Sequence, residues 1–296
     1  MYSQQSPAMN VQRFRPLAEL VPGHWQTGSV ETKDGVHVHY TRTGGEKPAV
    51  LLLHGVQVNG LMWLRTAKRL ETAYDVIMPD FRGHGQTGSL EKGVSAEILV
   101  SDLIALIHAL GLDKPFLVGH SMGADIAGRL AAAYPLRGVV LVDPALQNFG
   151  AITSDAPWMQ PIFEAMQTLK SQPHAERMAT GLRLLPPGTP AWDEADYVSF
   201  VEGMAQFDMG VYRQTAALGS PLFESPDVIA KISCPILLLT ARSMMPWANI
   251  ETGLAAFKNN WRQGEHIHFE DSGHFIPFDQ FDRFMEVLTR FLSEGQ

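Results

Sequence analysis

From about residue 25 the chain alternates short apolar runs with helical patterns. Val36–Thr41 alternates apolar and polar positions, which predicts a strand with one solvated face. Val50–Leu53, Val76–Met78, Phe116–Val118, Gly138–Val142 and Ile236–Leu239 are instead continuous apolar runs ending in polar or Gly-rich loops, the form of strands covered on both faces. Between them, Ala96–Leu110 places Leu99, Leu103, Leu106, Ile107 and Leu110 at helical spacing, with Gly111 as the stop. Met122–Tyr134 is Ala-rich and ends before Pro135, which cannot continue a helix. Phe278–Leu292 sets Phe281, Met285, Leu288 and Phe291 on one face, as a helix closing over a sheet requires. This order predicts α/β layering around a mostly parallel sheet.

The stretch 146–230 breaks the rhythm. It is rich in proline and holds Trp158, Phe163, Trp192, Tyr197, Phe200 and Phe207. A structureless loop of that length is implausible in a compact domain, so the pattern predicts a helical cap inserted between two strands. The expected division is an N-terminal extension over 1–24, an α/β core over 25–145 and 231–296, and a cap over 146–230.

Composition narrows the function. With 45% apolar and 18% charged residues in 296, the chain suits one soluble core carrying an insertion. A net charge of −8 argues against nucleic acid, which needs clustered Lys and Arg. No apolar run reaches the ~18–20 residues of a membrane helix, and the N-terminus lacks the basic start and apolar stretch of a secretory signal. No membrane partner is therefore expected, and the simplest location is cytoplasmic. Cys234 is the sole cysteine, which excludes an internal disulfide, and within SCPILLL it reads as a small buried hydrophobe. Homo-oligomerisation is left open.

Gly119-His120-Ser121-Met122-Gly123 is a G-x-S-x-G run between an apolar strand and an Ala-rich helix. So tight a turn requires small neighbours, lifts the Ser121 hydroxyl clear of the backbone and aims the Met122 N–H at a bound carbonyl. The following helix adds the positive end of its dipole. Leu53-His54-Gly55-Val56 ends an earlier strand in a Gly turn, where the Val56 N–H is the expected second oxyanion donor; one such donor is worth roughly 3 kcal/mol. A serine hydroxyl needs a base to take its proton. Among eleven histidines, His274 stands in a polar turn after a strand, in Asp271-Ser272-Gly273-His274-Phe275. The alternating pairs His37/His39 and His266/His268 lack an accompanying carboxylate or cysteine cluster, so no metal is expected.

LLLHG at 51–55, PDFRGHG at 79–85, GHSMG at 119–123, CPILLLT at 234–240 and DSGHF at 271–275 together resemble the α/β-hydrolase superfamily. The resemblance covers nearly everything from residue 30 onward. It implies a doubly wound, mostly parallel sheet with an inserted helical cap, and Ser, acid and His on loops at the sheet's C-terminal edge. It makes Asp80, Arg82 and His84 structural. One feature departs from the family: after the strand Ile236–Leu239, where most members carry the acid, this chain has Met244. Asp143, which ends the strand before, is the natural replacement; haloalkane dehalogenases and zearalenone lactonases resemble this arrangement. Glu270 and Asp271 are the other acids in range.

The residues and the resemblance together point to a serine hydrolase that needs no cofactor and works through an acyl-enzyme on Ser121, and the aromatic and Met content of the cap suggests a small, largely apolar carboxylic ester or lactone as substrate. Trp63 and Trp158 are candidate pocket walls. Arg183, Arg213 and Arg242 lie in or near the cap and could hold a carboxylate, which keeps an amide or C–C hydrolase acting on a carboxylate-bearing metabolite as the alternative. A ligand-binding receptor of the same fold is a further one. A dehalogenase or epoxide hydrolase needs a carboxylate where Ser121 stands.

Overall fold

In a computed structural model, residues 14–88, 90–146, 160–185, 189, 192–214, 221–242 and 250–295 are described. Eight strands form one sheet: β1 (Gln26–Glu31), β2 (His37–Arg42), β3 (Ala49–Leu53), β4 (Asp75–Pro79), β5 (Phe116–His120), β6 (Gly138–Val142), β7 (Ile236–Ala241) and β8 (Gly264–Phe269), in the order β1-β2-β4-β3-β5-β6-β7-β8. β1–β2 and β2–β4 pair antiparallel, and every other pair is parallel. The chain steps from β3 outward to β4 and then back across to β5. At such a switch point the loops after β3 and β5 diverge and leave a crevice at the sheet's C-terminal edge.

The continuous apolar runs have the predicted cause. β3, β4, β5 and β6 are buried at every residue. Val50, Leu52, Val118, Val140 and Leu237 enter one apolar layer, while their neighbours Leu51, Leu53, Leu117, Val139 and Leu238 enter the other. The second layer is closed by the helices Ala96–Ala109, Met122–Ala133 and Glu251–Asn260. Ser95 caps the first of these, accepting from the Ile98 N–H at 3.3 Å, and Gly111 leaves it at φ +62°.

The first layer is closed by the helix Leu64–Leu70 and by the C-terminal helix. The latter differs from expectation: Gln280, at φ −133°, divides it into Ile276–Asp279 and Phe281–Glu294. β1 was not anticipated because QTGSVE carries little apolar periodicity; it is held as an edge strand by β2 alone.

Between β6 and β7 lie the helices Gln160–Leu169, His174–Gly181, Glu194–Ala205, Gly210–Arg213 and Pro226–Ile229. Phe163, Met166, Met178, Val198 and Val201 of this insert join the same apolar layer as Trp63 and Phe284. Partly exposed arginines pair with buried carboxylates here. Arg65 meets the buried Asp196 at 3.0 Å, and Arg177 meets Glu202. Burial pushes the Asp196 carboxyl up to about 7, with Arg65 pulling the other way. Among the described residues no helix is long and apolar enough to cross a membrane.

Candidate active site

Ser121 follows β5 directly and takes φ +54°, ψ −119°, a backbone conformation that L residues rarely adopt. The turn is held on both sides. The Ser121 N–H donates to the Val142 carbonyl at 2.9 Å, and the Ser121 carbonyl accepts from Ala124 at 2.9 Å as the helix Met122–Ala133 begins. Both glycines of the motif are sterically required. A Cβ on Gly119 would stand 2.2 Å from the Gly123 carbonyl oxygen, and one on Gly123 would stand 2.5 Å from those of Leu53 and His54. Met122 opens the helix, so its N–H lies at the helix N-terminus.

The loop after β3 lies against this turn. A Cβ on Gly55 would stand 3.2 Å from Ser121 Cβ. Val56 follows, and Gln57 takes φ +70°. His54 shapes the loop: its Nδ1–H donates to the Gly55 carbonyl at 2.7 Å while Nε2 accepts from the Phe81 N–H at 2.9 Å. Burial lowers the His54 pKa and keeps the ring neutral, as this pair of bonds demands.

Asp143 and His274 come together. Asp143, at φ +46°, accepts from the Ala241 N–H at 2.9 Å on Oδ1 and from His274 Nδ1 at 2.6 Å on Oδ2. The acid therefore bridges the ends of β6 and β7 and meets the histidine loop after β8. Glu270 and Asp271 are exposed. Met244 and Trp158 lie outside the described residues.

His120, to which sequence reasoning gave no role, ties the His274 loop to the Ser121 turn. Its Nε2–H donates to the His274 carbonyl at 2.9 Å, and the two rings approach at 4.6 Å. Its Nδ1 is buried without a partner. Burial first, and His274 second, hold its pKa far below the ordinary value. No sequence signal separates this histidine from any other pre-serine residue.

The PDFRGHG loop is structural, as expected. Asp80 accepts from Gly60, Gln86 and His39, and Arg82 is chelated by Asp34 and Asp102. His84 lies between His54 and Phe207, its ring tilted against each at 4.9 Å. Burial drops its pKa to about 3.

Trp63 sits deep in the core, its ring stacked on Phe284 at 6.1 Å with no exposed surface. Arg183, Arg213 and Arg242 are exposed. The insert instead brings Trp192 and Phe200 edge-on to Phe275, at 5.6 and 5.3 Å, and Tyr212 against the Gln57 amide. Among the described residues no cluster of His, Cys, Asp and Glu could hold a metal.

Residues 50–287 match the model of the Alpha/beta hydrolase family. Over 138 residues, 44% of its length, the chain is 38% identical to N-formylmaleamate deformylase of Pseudomonas putida, covering 51% of that relative. The matched stretches span about half or less of the curated relatives. Among solved structures, the N-formylmaleamic acid deformylase of Pseudomonas putida superposes with TM-score 0.71 at 21% identity, over 89% of this chain and all of that one. A putative aryl esterase of Burkholderia cenocepacia gives 0.72 at 21% identity, over 91% and 99%. At these identities the structural likeness speaks to the fold alone.

Proposed function

The chain belongs to the alpha/beta hydrolase family, and on that premise we propose that it is a serine hydrolase cleaving a small, largely apolar carboxylic ester or lactone. The observation that carries the reading is the 2.6 Å bond between His274 Nδ1 and Asp143, on a loop tied to the residue before a strained Ser121.

The Asp143 carboxylate fixes the His274 tautomer, so that Nε2 is the atom left to act as base. Ser121 Oγ attacks the substrate carbonyl as His274 Nε2 takes its proton. The oxyanion accepts from the N–H groups of Val56 and Met122, donors that are already oriented and need no reorganisation. Collapse expels the alkoxide, which is protonated by His274, and leaves the acyl group on Ser121. Water then gives a proton to His274, attacks the acyl carbon, and regenerates the serine hydroxyl. No step calls on a cofactor. Epoxide or haloalkane opening needs a carboxylate nucleophile, and residue 121 is a hydroxyl.

In this reading the helices within 146–230 act as a cap. Trp192, Phe200 and Phe275 supply apolar surface beside the base, which fits an acyl or alkyl group better than a charged one. A second reading, hydrolysis of a small amide, rests on the likeness to the deformylase. Hydrolysis of p-nitrophenyl esters of graded chain length, run beside the same acids as anilides and beside Ser121→Ala, tests both. Ester turnover lost in Ser121→Ala supports the first reading. Anilide turnover exceeding ester turnover moves the substrate to amides. Equal turnover in Ser121→Ala overturns the nucleophile.

A further inference from the structure

Asp279 uses its two carboxylate oxygens on two different parts of the molecule. Oδ1 accepts from the Trp192 indole N–H at 2.7 Å, across the boundary to the inserted helices. Oδ2 accepts from the Gly273 backbone N–H at 2.7 Å, and the Ser272 hydroxyl donates to it at 3.4 Å. Gly273 immediately precedes His274. A Cβ on Gly273 would stand 3.1 Å from Asp279 Oδ2, so any larger residue would crowd the carboxylate seated on that N–H.

Trp192 also reaches the other flank of His274. Its ring meets Phe275 edge-on at 5.6 Å and Phe278 at 5.0 Å. Within the insert it is fixed in turn: its backbone N–H donates to the Tyr197 hydroxyl at 3.0 Å, and Phe200 lies edge-on at 5.6 Å. One indole therefore holds both neighbours of the histidine, Gly273 through Asp279 and Phe275 by contact.

We propose that Trp192 and Asp279 are a positioning pair, through which the seating of the inserted helices sets the orientation of the His274 imidazole toward Ser121. The inference rests on the reading of Ser121 and His274 as nucleophile and base. The Asp143 bond fixes one ring nitrogen, but the ring still pivots about that bond unless the loop backbone is held. His120 holds the His274 carbonyl on one side, and Asp279 holds the Gly273 N–H on the other. Misplacing a reacting group by about 1 Å costs on the order of a hundredfold in rate. A looser loop is therefore read out as slower acylation rather than weaker binding.

The test uses the full chain and a fluorophosphonate ester that labels Ser121, measured in wild type, Trp192→Phe, Asp279→Ala and the double variant. Trp192→Phe keeps an aromatic ring but removes the N–H donor. The expected result is labelling and kcat slowed about tenfold, with KM for p-nitrophenyl acetate changed less than about twofold. The double variant should be no slower than Asp279→Ala alone, since both sever one connection. Should Asp279→Ala fail to fold, the low-field proton NMR signal of His274 Nδ1–H decides on Trp192→Phe alone: broadening supports the pair, and an unchanged line overturns it. Wild-type labelling rates in Trp192→Phe, or single effects that multiply in the double variant, also overturn it while leaving the serine hydrolase intact. A wild-type protein that is not labelled at all overturns the nucleophile, and this inference with it.

Discussion

Ser121 and Asp143 each stand one residue beyond a fully buried strand, both with positive φ, and backbone bonds to the adjacent strand fix them: Ser121 N–H to Val142 and Asp143 N–H to Leu239. The inserted helices reach the same site by side chains. Trp192 holds the base loop through Asp279, Gln206 and Tyr212 hold Asn59 and Gln57, and Gly203 lets its helix ride against the backbone of Val58. The turns at the sheet edge are thus fixed by backbone bonds, whereas the insert meets them largely through side chains. The strained backbone at Ser121 persists because the surrounding core over-determines it. The insert rests on buried apolar residues, aromatic edges and partly exposed ion pairs.

The heaviest losses should come at the sheet edge. Ser121→Ala should lower kcat by about 10⁴-fold or more with the circular dichroism spectrum unchanged. Asp143→Asn should follow, with a loss of about 10³–10⁴ in kcat, because the amide favours the wrong histidine tautomer. Met244→Ala should stay within about twofold. Near-normal activity in Asp143→Asn would falsify the acid assignment and remove the sheet edge's claim to the complete triad.

Two glycines carry the contrast into stability. Gly123→Ala drives a methyl into the carbonyls of Leu53 and His54 inside the core, and should cost about 3 kcal/mol in urea unfolding. Gly203→Ala meets Val58 Cα at 2.8 Å, but there a helix can move away from a loop. It should cost about 1 kcal/mol and act on KM instead. Equal costs would mean that the insert is as rigidly held as the core.

The mildest consequence is in pH dependence, where the buried histidines beside the sheet edge and Asp196 of the insert carry opposite signs. His54, His84 and His120 are held neutral by burial, with folded pKa values below the ordinary 6.5. The unfolded chain binds more protons there, so their contribution is full above about pH 6.5 and is lost as pH falls, for His84 through about 3. Asp196 in the insert has a folded pKa of about 7, above its ordinary value of 3.8. Its contribution is full below that ordinary value and is lost as pH rises through about 7. Amide protection factors between pH 5 and 8 should therefore fall with rising pH in the helix Glu194–Ala205 and rise across β5. Parallel trends in both would refute the opposition.

Most of the sheet was legible because burial on both faces writes itself as continuous apolar runs; β3 to β7 fall within two residues of expectation. β1 was not, since an edge strand needs no such run. Ser121 and His274 could be picked out as candidates because the chemistry proposed for each needs a short local pattern, and the steric demands on Gly119 and Gly123 are local too. Asp143 could be chosen over other acids only through the vacancy at Met244. Trp192, Asp279 and His120 had no signature, because each acts on a residue whose place in the sequence is set by other constraints. The hydrogen bond from Trp192 to Asp279 spans 87 positions, a separation that no local pattern records.

The layering, the strand-turn-helix around Ser121 and the candidates for the proposed acyl transfer were readable from the chain alone, because they follow from periodicity and from sterics within a few residues. Three things waited for the folded molecule: that Asp143, from β6, meets His274, from the loop after β8; that Trp63 belongs to the core; and that the insert grips the base loop. Hydrogen bonds between distant segments are free of sequence spacing. They depend on where the sheet order places each strand end, and that order is settled by the packing of the whole core.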